Sequence, residues 1–480
     1  MQHFLSKKIS LTLILLALLT VISSCKEDDP VSDEISSNRN VNDWILGNMQ
    51  TWYLWSDKLP GKTNKNLHPA DYFESLLYKK EDRFSWIQEN FIELKEMISG
   101  IQMEAGYDYS LGQNKGNDVV GLINYVKPNS PASEAGLKRG DFFHTINRTQ
   151  LTIDNYQTLL GKISSAHTLG IGDIERVHKS VSLSVTKYEE NPILLDTIYE
   201  INNQKIGYLL YNFFAQDNGN NSLSYVKELN QVFGKFQGSG INELILDLRY
   251  NSGGAITTSV ALSSMIANRT ASDLFAMEEY NSFIDNYFRK AEGENYNKIF
   301  FQDQLEKYDE RGNVLESVPV NKLAGLNQLY VITSERTASA SELVINGLIP
   351  YMKVILIGET TYGKNVGSVT LYEEDSEKQK NNTWGMQPIV VKLANVNNES
   401  GYGNGFAPDE IVSEYKHLPL LPLGDTNEVM LQTALIRMGV LPANSLRSAG
   451  KTEALQFHPV SSSIDRTPVR RNLYVKPAKL

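Results

Sequence analysis

The feature that most constrains the fold is a pair of apolar segments separated by a helical pattern within residues 328–364. Residues 329–332 and 354–357 are short and rich in β-branched side chains, which is typical of buried strands, and residues 339–348 have helical spacing. A crossover this short predicts two parallel strands that are neighbours in one sheet. Polar groups that follow such strands lie at their carboxyl ends, where open α/β sheets bind ligands.

Two polar side chains follow these strands, and two interpretations of them are open. Ser339 stands at the predicted helix start, and Lys364 follows the second strand. A serine hydroxyl is a weak nucleophile until a base removes its proton, and a neutral lysine can act as that base. However, Ser339 with Glu342 also has the capping-box pattern, and Lys364 could lie in a solvated turn. This segment alone favours the capping interpretation.

Lys364 can act as a base only if its pKa is far below the ordinary value. Lowering a lysine pKa from about 10.4 to about 7 costs roughly 4 to 5 kcal/mol. Burial is the usual cause of such a change, and the apolar strand before Lys364 favours partial burial. No histidine lies near these motifs in the sequence, so a histidine-based triad has no candidate. At a helix start, free N–H groups and the helix dipole would favour an oxyanion beside Ser339.

The N-terminal residues have the pattern of a bacterial lipoprotein signal. Lys7 and Lys8 precede an apolar segment at 11–22 that is short for a membrane span, and Ile-Ser-Ser-Cys ends at Cys25. Cys25 is the only cysteine, so no internal disulfide can form, and we predict that it carries a lipid anchor in the membrane. Lys-Glu-Asp-Asp at 26–29 resembles the surface-export signal of Bacteroidetes lipoproteins, which implies an outer-membrane or cell-surface location. A simple cleaved signal or an uncleaved anchor is the alternative.

The composition argues against several classes of function. A net charge of −10 with no compensating basic cluster argues against nucleic acid as a partner. The seven histidines show no ligand spacing, so neither a metal site nor another cofactor is indicated. At 480 residues, the chain is long enough for two or three domains.

A segment in the first half of the chain has a recognisable pattern. Residues 130–141, Ser-Pro-Ala-Ser-Glu-Ala-Gly-Leu-Lys-Arg-Gly-Asp, resemble the most distinctive segment of PDZ domains, which bind an extended peptide as an added strand. The resemblance implies that the loop holding the peptide carboxylate contains Gly106, Tyr107, Asp108 and Tyr109. Asp108 would repel a carboxylate in that loop. A generic β-rich domain is the alternative interpretation.

Two successive glycines follow another predicted strand, at residues 243–248. Gly253 and Gly254 precede a predicted helix at 257–266, and their backbone N–H groups are little obstructed by side chains. Such a turn can hold an oxyanion or a phosphate, but a P-loop is excluded because its Gly-Lys-Ser/Thr sequence is absent. The glycines could also form only a tight turn.

The motifs occur in an order that resembles one family of enzymes. Leu-Arg-x-Asn-x-Gly-Gly, Thr-Ala-Ser-Ala-Ser-Glu and Gly-Glu-x-Thr-x-Gly-Lys follow the PDZ-like segment in that order. The sequence from about residue 40 to 440 thereby resembles the carboxyl-terminal processing, or tail-specific, serine proteases. No single motif is specific, whereas the three together are.

The resemblance implies a role for each matching residue. It makes Ser339 the nucleophile and Lys364 the general base, and it assigns the oxyanion donors to the backbone amides of Ala340 and of Gly253 or Gly254. With these motifs considered together, the catalytic interpretation of Ser339 replaces the capping interpretation.

One site position departs from the family pattern. The family often has a glutamine four residues after the lysine, and here that position is Ser368, whose hydroxyl could bond the lysine with shorter reach. This departure, together with Asp108, motivates an alternative function as a catalytically weak or inactive peptide-binding surface lipoprotein.

The resemblance implies an α+β multidomain fold with a crotonase-like α/β protease core, a PDZ-like β-rich domain and a small N-terminal helical subdomain. The implied function is a serine endopeptidase of the cell envelope that binds polypeptide substrates through their C-termini. The predicted segments are a lipoprotein signal peptide (1–24), an acidic flexible linker (25–40), the helical subdomain (41–100), the PDZ-like domain (101–190), the protease core (191–440) and a flexible tail (441–480).

Overall fold

The computed structural model describes most of the chain after the N-terminal segment: residues 30–114, 116–309, 311–445, 457–466 and 473–475. The predicted signal peptide and the lipidation site at Cys25 lie outside the described residues. Within the described ranges, no helix is both long and apolar enough to cross a membrane.

The N-terminal subdomain is mainly helical, as predicted. Its elements are α1 (Pro30–Trp52), a 3-10 turn (Ser56–Lys58), α2 (Pro69–Leu76), β1 (Trp86–Gln88) and α3 (Phe91–Ile98). Its buried side chains include Ile45, Met49 and Phe73. The flexible linker predicted for 25–40 is wrong from Pro30 onward, because α1 already begins there. Once the apolar half of a helix is packed, each added residue gains a backbone hydrogen bond at little further cost.

The next domain is rich in strands. Its elements are β2 (Ile101–Glu104), β3 (Tyr107–Gln113), β4 (Val119–Val126), α4 (Pro131–Glu134), β5 (Phe142–Ile146), β6 (Thr149–Gln150), α5 (Tyr156–Leu160), a 3-10 turn (Gly161–Ser164), β7 (His167–Gly172), β8 (Val177–Leu183) and β9 (Thr186–Glu189). Antiparallel pairs join β3, β4, β5, β7 and β8 in that order. We call residues 101–190 the β-rich domain.

The core begins with the following elements: β10 (Ile193–Ile201), β11 (Gln204–Tyr211), α6 (Ser224–Ser239), β12 (Glu243–Asp247), β13 (Gly254–Ala255), α7 (Ile256–Ile266), β14 (Leu274–Tyr280), α8 (Ser282–Glu292), β15 (Lys298–Phe300), β16 (Gln304–Tyr308), β17 (Val314–Pro319), β18 (Gln328–Thr333), α9 (Ala340–Leu348) and β19 (Lys353–Gly358). It continues with β20 (Val366–Val369), β21 (Leu371–Tyr372), α10 (Ser376–Gln379), β22 (Gly385–Gln387), β23 (Ile389–Asn395), β24 (Glu410–Ile411), a 3-10 turn (Glu414–Lys416), α11 (Val429–Arg437) and a 3-10 turn (Ala443–Ser445).

The central sheet has the order β10-β11-β12-β18-β19-β24, and all its pairs are parallel except β10 with β11. β18 and β19 are parallel neighbours, with Leu329 opposite Val354, as the sequence predicted. Leu329 and Val331 pack in the cluster that contains residues of α6, α7 and α9, whereas Ile332 packs in the cluster that contains residues of α11. Burial of both faces explains why these strands are continuous apolar runs.

A second sheet of the core has the order β13-β26-β20-β23-β14-β15, and a small sheet, β1-β22-β21, joins the N-terminal subdomain to the core. The strand β26 (Leu473–Val475) belongs to the C-terminal segment, together with β25 (His458–Ser462) and a 3-10 turn (Ser463–Arg466). The prediction of a flexible tail over 441–480 is therefore wrong for these residues. Their backbone groups find partners on strand edges far away in sequence, which a local pattern does not reveal.

Candidate active site

Ser339 lies in a strained turn immediately before helix α9. Its backbone has φ +66° and ψ −116°, a region that residues with a side chain rarely adopt. Its side chain is fully buried, and its Oγ makes no hydrogen bond with any described residue. A strained residue at a strand-to-helix turn, with an unpaired hydroxyl, is typical of a nucleophile held in place by its surroundings.

Glu342 connects the Ser339 turn to the Lys364 loop. One oxygen of its carboxylate accepts hydrogen bonds from the Ser339 N–H (2.8 Å) and the Lys364 N–H (2.8 Å). The other oxygen accepts from the Gly363 N–H (2.7 Å) and from Thr361 Oγ1 (2.6 Å). The reciprocal capping contact of the Ser339 hydroxyl does not reach hydrogen-bond geometry. The pattern taken from sequence as a helix cap therefore also holds two loops together.

The Lys364 side chain is fully buried beside this turn. Burial lowers its pKa from 10.5 to about 7, although the carboxylates of Asp82 and Glu342 act in the opposite direction. Its Nζ lies 5.0 Å from the centroid of the Phe84 ring. The burial suggested by the apolar strand before Lys364 is thus present, and a pKa near 7 suits a general base at neutral pH.

The N-terminal subdomain covers the lysine, which the sequence did not indicate. Phe84 packs over the Lys364 Nζ, and Arg83 Nη2 donates to the Gly363 carbonyl at 3.3 Å. Asp82 accepts hydrogen bonds from the Phe84 N–H (2.9 Å) and from Tyr53 Oη (2.8 Å). Sequence reasoning missed these residues because nothing in 41–100 has a catalytic pattern. Their contribution depends on contacts across about 280 residues.

Ala340 and Gly254 are better placed as oxyanion donors than Gly253. The Ala340 N–H donates to no described residue. The Gly253 N–H donates to Asn251 Oδ1 at 2.9 Å, so it is engaged within its own turn. Gly254 has φ +139°, and a Cβ there would lie 2.1 Å from the Phe214 carbonyl oxygen, so only glycine fits. The oxyanion role of Ala340 and of either glycine stays a prediction, and the engaged Gly253 amide favours Gly254 over Gly253 for that role.

Hydrogen bonds fix the glycine turn against the serine turn. Thr337 Oγ1 donates to the Leu248 carbonyl at 2.9 Å, and the Ala338 N–H donates to the Asn251 carbonyl at 3.2 Å. Ser341 Oγ donates to the same Asn251 carbonyl at 3.0 Å. The strand end at β12 and the helix start at α9 therefore form one connected unit.

Ser368 is buried on β20, four residues after the lysine. Its Oγ donates to Gln387 Oε1 at 2.6 Å, and Gln387 Nε2 donates to Thr370 Oγ1 at 2.5 Å. Gln387 is fully buried and comes from β22. A glutamine thus lies beside the serine that replaces the family's glutamine, although it comes from a different strand.

A buried ion network lies at the end of β12. Arg249 is fully buried and pairs with Asp247 (2.8 Å), with Glu428 (2.9 Å) and with Glu414 (3.3 Å). Burial would raise the pKa of Glu428, but Arg249 outweighs it and the pKa is lowered. Arg139 of the β-rich domain also pairs with Glu414, at 2.7 Å. The network joins the β-rich domain to the strand that leads into the glycine turn.

The loop predicted to hold a peptide carboxylate is partly occupied by the protein itself. Gly106, Tyr107, Asp108 and Tyr109 all line one cavity of about 180 Å³. Asp108 is turned toward Arg336, which donates to its two oxygens at 2.8 and 2.7 Å. Burial would raise the pKa of Asp108, yet the Arg336 guanidinium holds it below its ordinary value.

The pairing of Asp108 also has a consequence for the site. The negative charge expected to repel a ligand carboxylate is balanced by a buried arginine. Arg336 lies three residues before Ser339, so the Asp108–Arg336 pair links the β-rich domain to the serine turn.

The described residues contain no cluster of three or more His, Cys, Asp or Glu side chains that could hold a metal ion.

Two family models match separate parts of this chain. Residues 205–412 match the model of peptidase family S41, and residues 40–86 match the model of the S41 N-terminal domain. The matches define the class of protein as a serine-type peptidase, for which polypeptides are the substrates. The chain belongs to peptidase family S41. The predicted family resemblance is confirmed, whereas the PDZ-like character of the β-rich domain and the lipid anchor stay predictions.

Several known proteases are similar to this chain in sequence or in structure. The carboxyl-terminal-processing protease of Picosynechococcus sp. is 23% identical over 397 residues, which cover 81% of this chain and 83% of that protein. The chloroplastic carboxyl-terminal-processing peptidase 2 of Arabidopsis thaliana is 26% identical over 335 residues, which cover 66% of this chain and 57% of that protein. A crystal structure assigned to the S41 proteases, from Bacteroides fragilis, is 27% identical with a TM-score of 0.66, covering 83% of this chain and 97% of that chain.

Proposed function

We propose that the chain is a serine endopeptidase of the bacterial cell envelope that cleaves peptide bonds with a Ser339/Lys364 dyad. The observation that carries this proposal is the buried Lys364, whose pKa is about 7 and whose loop is bonded to the Ser339 turn through Glu342. Oxyanion donors at Ala340 and Gly254 complete the set of groups that acyl transfer requires.

The reaction follows from these positions. Neutral Lys364 takes the hydroxyl proton of Ser339, and the Oγ attacks the substrate carbonyl carbon. The amides of Ala340 and Gly254 stabilise the resulting oxyanion, and protonated Lys364 gives its proton to the leaving amine. A water molecule then hydrolyses the acyl-enzyme: Lys364 accepts a proton from the water and returns it to Ser339 Oγ as the C–O bond of the acyl-enzyme breaks. Ser339 Oγ makes no hydrogen bond with a described residue, so its contact with Lys364 forms in the complex with substrate.

Two serines of the same turn allow a matched test. In protein lacking residues 1–25, Ser339→Ala should reduce hydrolysis of an unfolded polypeptide at least about 10³-fold, because it removes the nucleophile. Ser341→Ala should retain most activity, since it removes only a hydrogen bond to the Asn251 carbonyl, worth about 1 kcal/mol of stability. Both are compared by kcat/KM and thermal unfolding. Full activity in the Ser339 variant would exclude the dyad.

We propose that the β-rich domain is PDZ-like and recognises protein C-termini. The loop of Gly106 to Tyr109 lines a cavity at the start of β3, and a peptide can be added to β3 as a strand once β25 leaves residues 110–113. Arg466 lines the same cavity and supplies positive charge near a terminal carboxylate, whereas Lys127 is paired with Glu104 and Glu190, each at 2.6 Å. Peptides with a free C-terminal carboxylate should bind better than their amidated forms, as measured by fluorescence anisotropy. Equal affinity would contradict carboxylate recognition.

The proposed location rests on the lipid anchor at Cys25. We expect Cys25→Ala to move the protein from the membrane fraction to the soluble fraction of cells, because one acylated residue supplies the membrane affinity. Immunoblots of both fractions check this, with Ser24→Ala as the neighbouring control. Retention of the Cys25 variant in the membrane would indicate an uncleaved anchor instead.

A catalytically weak peptide-binding lipoprotein is the second candidate. The unpaired Ser339 hydroxyl favours it, because the nucleophile is not engaged with a base in this arrangement. Intact-mass detection of an acyl-enzyme during turnover of an unfolded polypeptide distinguishes the two functions. Its absence, together with tight peptide binding, would favour the binding protein.

A further inference from the structure

The C-terminal segment lies along the β-rich domain as an added strand. β25 pairs antiparallel with β3, with Ser462 opposite Ser110. Phe457, at the start of the segment, is buried and packs against Val120 and Leu122. The Phe457 ring packs against Gly112 of β3. A Cβ at this position would lie 2.6 Å from the ring, so a larger residue would clash with it. The edge proposed to bind peptides is therefore occupied by the chain itself.

The end of this added strand contacts the Asp108–Arg336 pair. Ser463 Oγ donates to Asp108 Oδ2 at 2.5 Å and accepts a hydrogen bond from Arg336 Nη2 at 3.0 Å. Ile464, the next residue, is 4% exposed. The segment is thus anchored by buried apolar side chains and by polar contacts that reach the loop before Ser339.

A later part of the C-terminal segment, β26, lies between two strands of the candidate active site. β26 lies between β13 and β20 and is parallel to both strands. Leu473 is opposite Gly254, the proposed oxyanion glycine, and Tyr474 is opposite Ser368. The backbone of residues 473–475 therefore fills the space between the oxyanion strand and the strand that follows the catalytic lysine.

An extended polypeptide is the ligand that such a space suits. β13 and β20 each present a backbone edge to β26, and an inserted strand pairs with both edges through main-chain hydrogen bonds. Main-chain pairing requires an extended backbone but depends little on the side chains of the bound polypeptide. This suits a peptidase that acts on unfolded segments of different sequence. The β3 edge cannot accept a substrate while β25 is paired with it, and the space between β13 and β20 cannot while β26 is in place.

We propose that substrate polypeptides bind as an extended strand between β13 and β20, and that residues 473–475 occupy this place in the resting enzyme. This inference rests on the proposed peptidase function. The segment acts as a tethered competitor, because residues 446–456 join it covalently to the core. A short tether gives an effective concentration on the order of millimolar, so a segment that binds weakly by itself still excludes substrate.

The test uses the full chain with one change in β26. Tyr474→Pro removes a backbone N–H and disfavours the strand, so KM for an unfolded polypeptide should fall about 10-fold or more while kcat changes little. Ala478→Pro places the same residue after the paired positions and should leave KM unchanged. A synthetic peptide of residues 457–480 should then inhibit the Tyr474 variant competitively.

Three results would overturn the inference while leaving the proposed function intact. They are an unchanged KM in the Tyr474 variant, no inhibition by the peptide, and Ser339-dependent cleavage of the enzyme's own tail observed by intact mass. The last result counts against it because a segment that is cut cannot keep the site closed. Failure of the proposed function is distinct, since all variants would then lack Ser339-dependent hydrolysis.

Discussion

Replacing Lys364 with methionine should make the enzyme inactive and, near pH 7 and below, more stable. Methionine has a similar length and no charge, so it retains the packing against Phe84 but cannot accept the Ser339 proton. Removing a general base lowers kcat by about 10² to 10⁴-fold. A fall of the lysine pKa from 10.5 to about 7 on folding corresponds to at most about 5 kcal/mol, at 1.36 kcal/mol per pKa unit.

The sign of this effect follows from the protons bound in each state. Between pH 7 and 10.5 the unfolded chain keeps the Lys364 proton and the folded chain does not, so wild-type stability rises with pH in that window. The advantage of the methionine variant is therefore largest below about pH 7 and disappears above about 10.5. For the same reason, wild-type kcat/KM should rise with pH through about 7 as Lys364 becomes neutral.

Denaturant unfolding across this pH range checks the stability, and the pH–rate profile checks the activity. Lys353→Met is the matched control, because Lys353 is exposed at the start of β19 and its loss should change stability by less than about 0.5 kcal/mol. A Lys364 variant less stable than wild type at pH 6 would mean that folding stabilises the protonated lysine, so that its pKa is not lowered, and the base assignment would fail.

Replacing Arg249 with methionine should destabilise the fold by about 3 to 5 kcal/mol. The change leaves three buried carboxylates, those of Asp247, Glu414 and Glu428, without their shared arginine. Although Arg139 remains 2.7 Å from Glu414, the buried carboxylates then repel each other, and the strand end that leads to the glycine turn loses its anchor. Activity should fall with the folded fraction.

Chemical denaturation at pH 7 measures the loss in the free energy of unfolding of the Arg249 variant. Arg289→Met removes an exposed pair with Asp285 and should cost less than about 1 kcal/mol. The difference between the Arg249 variant and wild type should shrink as the pH falls below 4.5, the ordinary pKa of a glutamate, because protonation removes the uncompensated charge. If the two arginine variants lost the same free energy of unfolding, the buried network would contribute no more to stability than an exposed ion pair.

The parts of the site that could be predicted are those encoded by local patterns. Two continuous apolar runs with a helical pattern between them predicted β18 and β19 as neighbours, and their connections brought Ser339 and Lys364 to one edge of the sheet. The apolar strand before Lys364 indicated burial. Two glycines after a strand indicated backbone donors, although only the structure shows that the Gly253 amide is engaged with Asn251.

The remaining parts depend on contacts between residues far apart in sequence. Phe84 reaches Lys364 from a subdomain with no catalytic pattern, and Gln387 reaches Ser368 from another strand. Asp108 looked unsuited to its loop because its partner, Arg336, is 228 residues away. The C-terminal strands lack a sustained period, since they are short and are stabilised by the edges that they complete.

Glu342 gives the site a geometry that does not depend on substrate. Its two oxygens accept hydrogen bonds from Ser339, Thr361, Gly363 and Lys364, and a glutamine of the same shape would present N–H groups to two of these donors. The distance between the backbone of Ser339 and the backbone of Lys364 is thus fixed in the folded protein before any substrate binds. Each turnover then changes the side chains and the contents of the cleft, while the backbones that carry the nucleophile and the base keep their positions.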